Sequence, residues 1–346
     1  MSQTKSTNII FTVQENMGEV ALNEIKKVYP ESSFKGWISP SMGMANVPAE
    51  FPEVAEMFLK EHVVFIRHIC PVDLKVEFVD IESLDAHIDG ILEQLDTEAS
   101  FSVQTRTTKN FSDTYKNFDI NNYVAERLSS KGCKLDVKAP TQIVSIVCKD
   151  ENVYIGVSLA KENLSNWAGG VRRFAFEEDQ ISRAEFKLLE IIELLDLDFD
   201  QFRSALDLGA APGGWTRVLL KYDLFVTAVD PAKMDEKILK NPNVTHFKGL
   251  AQDFLKEDYR FDVIVNDMRM DVYESVKLMG IAAEYLSDRG IAILTLKLPT
   301  KKTQKITNDA LKMLRKWFDI FAVRQLFNNR SEVTVVLKKK EGSEEV

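Results

Sequence analysis

The sequence predicts an α/β protein whose second half is a mostly parallel, doubly wound sheet, preceded by smaller α+β units. Three observations carry this. The run Leu206-Asp-Leu-Gly-Ala-Ala-Pro-Gly-Gly-Trp215 joins an apolar strand to a helical pattern through a turn of small residues. Further apolar strands end at Asp230, Asp267 and Lys297, with helical stretches between them. Before residue 175 the pattern is instead that of smaller α+β units, beginning with a strand that alternates between apolar and polar positions and is followed by a helix.

In chain order, residues 8–14 alternate as a strand, and 18–29 read as a helix with Val20, Leu22, Ile25 and Val28 inward until Pro30 stops it. Residues 76–100 hold eight Asp or Glu and no Lys or Arg, and read as one acidic helix with a stripe of Leu84, Ile88, Ile91, Leu92 and Leu95. A strand at 101–106, a helix near 120–130 and strands at 143–149 and 153–158 follow. The strings Phe101-Ser-Val-Gln-Thr-Arg106, Lys138-Ala-Pro-Thr141 and Val153-Tyr-Ile-Gly-Val157 together resemble a THUMP domain, an RNA-binding module, and the leading unit resembles the ferredoxin-like subdomain that precedes it. Asn166-Trp-Ala-Gly-Gly-Val-Arg-Arg173 falls where such modules close and suits a linker that touches RNA. The expected division is 1–75 ferredoxin-like, 76–175 THUMP-like, 176–340 the α/β domain and 341–346 a disordered tail.

The glycine turn opens the second half. Residues 204–208 form a strand, Gly209, Gly213 and Gly214 allow backbone shapes closed to bulky residues, and 215–222 resume a helix. Ligands of doubly wound sheets sit at the carboxyl ends of the strands. The spacing is not G-x-G-x-x-G, and no G-x-x-x-x-G-K-[ST] occurs, so a nucleoside without phosphates fits better than a dinucleotide or a nucleotide triphosphate. Asp230 ends the next strand about 20 residues on, where a carboxylate can accept both ribose hydroxyls. Asp253 follows a third strand near 245–247 and can accept a hydrogen bond from an adenine amine. Each carboxylate alone would read as a solvated turn residue; in register with the glycine loop both read as ligand contacts.

These residues resemble the S-adenosylmethionine loop of the FtsJ-like RNA ribose 2′-O-methyltransferases, a Rossmann-like class I methyltransferase family. The resemblance spans about 180–338. It implies S-adenosylmethionine as cofactor, with Asp207, Gly209, Ala211, Pro212, Gly213, Gly214, Trp215, Asp230, Asp253 and Asp267 around it. It also implies a Lys-Asp-Lys-Glu catalytic tetrad at Lys187, Asp267, Lys297 and Glu332. Lys187 lies in Ser182-Arg-Ala-Glu-Phe-Lys-Leu-Leu-Glu190, Asp267 in Val263-Ile-Val-Asn-Asp-Met268, Lys297 in Ile293-Leu-Thr-Leu-Lys-Leu298 and Glu332 in Arg330-Ser-Glu-Val-Thr-Val335. One departure is visible: Met268-Arg-Met-Asp271 stands where many relatives have a proline-containing, serine-glycine loop.

The chemistry follows from the residue types. A ribose 2′-hydroxyl is a weak nucleophile, so methyl transfer needs in-line positioning and a nearby base. A lysine serves only with its pKa lowered; burial and the second ammonium of Lys187 would bring Lys297 down from about 10.4, while Asp267 and Glu332 would pull it back up. As ordinary residues, Asp267 and Glu332 would be edge charges and Lys187 part of an amphipathic helix. Lys297 resists that reading, because it extends the apolar run 291–296 and a lysine ending a buried strand is costly unless paired or functional.

The length of 346 residues and 45% hydrophobic content suit two or three packed domains. No apolar run approaches the ~18 residues of a membrane span, and residues 1–6 lack a signal-peptide core, so a soluble cytoplasmic protein is expected. Cys70, Cys133 and Cys148 form no C-x-x-C pair and read as reduced core thiols; with His62, His68, His87 and His246 they form no ligand pattern, so no metal is expected. The net charge of −9 is concentrated in the acidic stretch, whereas residues 294–330 carry nine basic residues, Lys297, Lys301, Lys302, Lys305, Lys312, Arg315, Lys316, Arg324 and Arg330, against Asp309 and Asp319. Such a cluster beside the site can neutralise phosphates, although a solvated helix face is the simpler account of Lys312 and Lys316.

The two resemblances together imply methylation of a ribose in RNA, with 23S rRNA or an assembly precursor as partner, as in the bacterial large-subunit rRNA cytidine 2′-O-methyltransferases. A base N-methyltransferase would carry Asn/Asp-Pro-Pro-Tyr/Phe where this chain has Asn266-Asp-Met-Arg, and a thiolation enzyme would need a Ser-Gly-Gly-x-Asp-Ser loop. An RNA-binding protein with an inactive methyltransferase fold is the non-enzymatic alternative.

Overall fold

The apolar runs 204–208 and 291–296 become central strands of a seven-stranded sheet, which is why they read as continuous rather than alternating. The computed structural model describes residues 5–112, 114–256 and 259–340, so the expected tail at 341–346 lies outside the described residues. The chain divides into two compact units, Met1–Val171 and Arg172–Val346.

The first unit holds two sheets. Strands β1 (Thr7–Thr12), β2 (Ser33–Ser39), β3 (Met42–Val47) and β4 (His68–Pro71), with helices α1 (Gly18–Val28) and α2 (Phe51–Lys60), run in the order β-α-β-β-α-β and form an antiparallel sheet ordered β2-β3-β1-β4. Strands β5 (Leu74–Glu77), β6 (Ser100–Thr107), β7 (Lys134–Leu135), β8 (Gln142–Lys149) and β9 (Asn152–Leu159) form a mixed sheet ordered β5-β9-β8-β6-β7. Helices α3 (Ile88–Leu92) and α4 (Asn117–Ser130) accompany it.

The single acidic helix expected at 76–100 is corrected here. Residues 76 and 77 pair in β5, Ile81–His87 is a 3-10 helix capped by the Asp80 carboxylate, and α3 has only five residues. Gly90 and the run of short acidic side chains give little intrinsic helix propensity, so tertiary packing decides the backbone. The stripe itself survives, because Leu84, Ile88, Ile91 and Leu95 are buried together against Ile120, Val124 and Leu128 of α4.

The second unit contains α5 (Glu185–Leu194), β10 (Ser204–Leu208), α6 (Gly214–Leu220), β11 (Phe225–Val229), α7 (Glu236–Leu239), β12 (Val244–Phe247) and α8 (Ala251–Phe254). They are followed by β13 (Phe261–Asn266), α9 (Val272–Ala282), β14 (Leu286–Lys297), α10 (Thr303–Leu314), β15 (Phe318–Arg324) and β16 (Glu332–Lys339). The sheet order is β12-β11-β10-β13-β14-β16-β15, with only β16 reversed. The order changes direction between β10 and β13, the switch point at which a doubly wound sheet opens a crevice.

On one face Val263, Val265, Ile291 and Ile293 pack with Leu188, Ile191 and Ile192 of α5 and Trp215, Val218 and Leu219 of α6. Each such side chain, fully buried, contributes about 1.5–3 kcal/mol. The period of two then puts Asp267, Thr295 and Lys297 on the face that α5 covers. Among the described residues, no helix is long and apolar enough to cross a membrane.

Candidate active site

Register builds the site. Val229 pairs with Leu208, Leu208 with Asn266 and Asn266 with Leu294, so the residues that follow, Asp230, Gly209, Asp267 and Thr295, line one edge of the sheet. Gly209 has φ +75°, and a Cβ there would lie 2.0 Å from Met268 Cγ. Gly213 has φ +119° against Ile238, and a Cβ on Gly214 would lie 2.2 Å from Ser182 Oγ. The Ala211–Pro212 bond between them is cis. Asp230 holds this turn from the neighbouring strand: one carboxylate oxygen accepts from the Ala211 N–H at 3.1 Å and the other from Ala232 at 2.7 Å.

Two expected cofactor residues face inward. Asp207 is 2% exposed and accepts from Thr216 Oγ1 at 2.6 Å. Burial pushes its pKa up to about 7, with the Thr216 hydrogen bond opposing and the charges of Asp267 and Asp230 adding. Trp215 is buried in the core, its indole donating to the Ala184 carbonyl at 2.8 Å. Asp253 sits in the first turn of α8, half-exposed and paired with Lys256 at 2.8 Å.

The structure brings Lys187, Asp267, Lys297 and Glu332 together. Lys297 and Glu332 are direct cross-strand partners on β14 and β16. Lys187 Nζ lies 3.1 Å from both Asp267 oxygens and 2.8 Å from Glu332 Oε2. Lys297 Nζ hydrogen-bonds Asp267 Oδ1 and lies 3.1 Å from Glu332 Oε1. Burial opposes the charge on Lys187, but Asp267 and Glu332 outweigh it and hold its pKa above the usual lysine value. The arrangement offers two amines, both in contact with Glu332, beside a glycine turn suited to close approach of a nucleoside.

Residues 180–328 match the model of the FtsJ-like methyltransferase family. Over these residues, less than half of its length, the chain is similar to that family. Similar proteins include ribosomal RNA large subunit methyltransferase M of Psychromonas ingrahamii, 32% identical over 200 residues that are 54% of this chain and 54% of that protein. The protein of the same name from a Marinomonas species is 34% identical over 205 residues, 55% of this chain and 57% of its own. The chain thus spans about half the length of the curated relatives it matches. Among solved structures, TrmN from Thermus thermophilus aligns over 97% of this chain and 100% of its own at 16% identity, with a TM-score of 0.39.

Several residues that hold the candidate site were not singled out from the sequence. Glu185, 1% exposed, accepts from the N–H groups of Ile181 and Ser182 and pairs with Arg217 of α6 at 2.7 Å, tying α5 to the glycine turn. Glu190, 2% exposed, accepts from the N–H groups of Phe327 and Asn328 and from the Asn328 amide, bracing the loop that delivers Glu332. The signal was present: Glu185 and Glu190 share the helix of Lys187, and Thr295 is the polar interruption of an apolar run.

The expected basic cluster separates in space. Helix α10 runs back from the site end of the sheet, so Lys312, Arg315 and Lys316 lie at its far end, and Arg324 is buried on β15. Lys301, Lys302 and Lys305 follow Lys297 at the site end, and exposed Arg330 precedes Glu332 there. Among the described residues, no group of three or more His, Cys, Asp or Glu could hold a metal ion.

Proposed function

We propose that this protein is an S-adenosylmethionine-dependent RNA methyltransferase acting on a ribose 2′-hydroxyl of large-subunit rRNA. The observation that carries the reading is the junction of Lys187, Asp267, Lys297 and Glu332 at the strand ends beside the Gly209–Gly213 turn. The names of the relatives support the rRNA substrate.

The cofactor fits the residues present. Glycines with positive φ present bare backbone, and Asp230 stands at the end of the adjacent strand for the ribose hydroxyls. Ala211, Pro212 and Gly214 complete the turn, Asp207 and Trp215 support it from the core, and Asp253 is assigned to the adenine amine. Bound S-adenosylmethionine supplies an electrophilic methyl group on sulfur.

The protein's own groups prepare the acceptor. Lys297, once neutral, accepts the 2′-hydroxyl proton; Asp267 and Glu332 fix its amine and orient the ribose; Lys187 keeps its charge and offsets both carboxylates. In the first unit, the β-α-β-β-α-β order with sheet order β2-β3-β1-β4 supports the ferredoxin-like reading of 1–75. Residues 76–175 are assigned to RNA as a THUMP-like module and 176–340 to catalysis.

The test is incubation with radiolabelled S-adenosylmethionine and fractionated cellular RNA, followed by mapping of alkaline cleavage. A 2′-O-methylated ribose resists cleavage because its 2′-oxygen can no longer attack. Label that enters a base, leaving the alkaline ladder unbroken, would withdraw the ribose assignment.

A further inference from the structure

Thr295 is 1% exposed and faces the same side of β14 as Lys297, two residues back on one strand. Its hydroxyl lies between two charged groups. It hydrogen-bonds Asp267 Oδ1 on one side and receives Lys297 Nζ at 2.7 Å on the other. Chemistry fixes both directions: a carboxylate only accepts and an ammonium only donates, so the single hydroxyl proton goes to Asp267 and the lone pair to Lys297.

The Lys297 ammonium has three hydrogens and three acceptors, Asp267 Oδ1, Glu332 Oε1 and Thr295 Oγ1. Two of these acceptors come from other segments, the end of β13 and the start of β16. Thr295 alone ties the flexible lysine stem to its own strand. Its χ1 is stiff because the side chain branches at Cβ, so the hydroxyl is a fixed point from which the amine hangs.

We propose that Thr295 is a positioning residue that sets where the Lys297 amine sits relative to the acceptor hydroxyl. The inference rests on the reading of this site as a ribose methyltransferase centre. Without the hydroxyl the amine follows whichever carboxylate is nearer, and the reacting groups lose alignment while the cofactor turn, which follows β10, is untouched.

The test is single-turnover methyl transfer to rRNA by Thr295→Val and Thr295→Ser, with calorimetric cofactor affinity and thermal unfolding as controls. Thr295→Val keeps the shape and lowers the single-turnover rate roughly 10²-fold, the scale of a ~1 Å misplacement, with cofactor Kd and RNA KM within about twofold of wild type. Thr295→Ser restores the rate to within about threefold, since the hydroxyl returns. Thr295→Val at the wild-type rate, or Thr295→Ser as slow as Thr295→Val, overturns the proposal. If Thr295→Val does not fold, Thr295→Cys, similar in size but a poor hydrogen-bonder, carries the same comparison, and full activity there overturns it equally. Wild-type protein that leaves ribose unmodified overturns the functional reading and this inference together; a methylating wild type with a fast Thr295→Val overturns the inference alone.

Discussion

Lys187 and Lys297 grip opposite oxygens of one carboxylate, Glu332 Oε2 at 2.8 Å and Oε1 at 3.1 Å. Both also reach Asp267, so two cations and two anions close a neutral ring at the end of the sheet. Removing any member leaves an uncompensated charge in a site whose side chains are 12–17% exposed, and substitutions within the ring are expected to be non-additive.

Lys297→Ala is expected to lower turnover by roughly 10²–10⁴ while cofactor affinity stays near normal, because a proton acceptor acts mainly in the transition state. Lys297→Arg is expected to do no better, since a guanidinium stays protonated. Single-turnover kinetics beside calorimetry make the comparison; a fast Lys297→Arg would retire the base assignment.

Gly209→Ala is expected to destabilise the fold by about 1–2 kcal/mol through positive φ alone, and to weaken cofactor binding. The added methyl also meets Met268. Met268→Ala in the same chain should relieve the collision but leave the backbone strain, so partial recovery in urea denaturation is the expected result. Complete recovery would show that φ at this position carries no cost.

Glu190→Gln is expected to cost about 1.5–3 kcal/mol, since it removes hydrogen bonds to an ionised acceptor and places an amide N–H against the donors of Phe327 and Asn328. Turnover should fall further than stability predicts, because the braced loop leads into Glu332. Unchanged activity in a destabilised variant would confine Glu190 to the fold.

Asp207 makes stability depend on pH. Its folded pKa of about 7 lies above the ordinary 3.8, so the folded chain retains a proton that the unfolded chain releases. This contribution is intact below about pH 4 and is lost as pH rises to about 7, at about 1.4 kcal/mol per unit. Asp207→Asn, which still accepts from Thr216, should flatten that slope in unfolding curves measured across this range. An identical slope in the variant would show that another group titrates.

The segment 172–340 is expected to bind S-adenosylmethionine within a few-fold of the full chain and to lose RNA affinity and selectivity, because the glycine turn and the four-residue ring lie wholly in the second unit. Filter binding and calorimetry on the two proteins decide it. A truncated chain that modified the same nucleotide at the normal rate would remove RNA binding from the first unit.

Strand identity was local and therefore legible. Residues 204–208 match β10, and the apolar runs ending at Asp230, Asp267 and Lys297 match β11, β13 and β14 within a residue or two at the ends that matter, because burial on both faces demands continuous apolar sequence. The acidic stretch was not legible as a backbone: its apolar spacing marked which side chains are buried, but a 3-10 helix and a short α-helix can bury the same stripe as one long helix.

The sequence by itself marked Lys297, a lysine ending an apolar strand, as a residue that needs a reason to be there, while Lys187, Asp267 and Glu332 were suggested as its companions by the resemblance to the FtsJ-like family. Only the tertiary structure decided what holds them. Strand register sets Lys297 opposite Glu332, and helix α5 carries Lys187, Glu185 and Glu190 to three different partners. Periodicity shows that a side chain faces inward; which distant polar group it meets there depends on the pairing of strands far apart in the chain, and that pairing exists only once the sheet has formed.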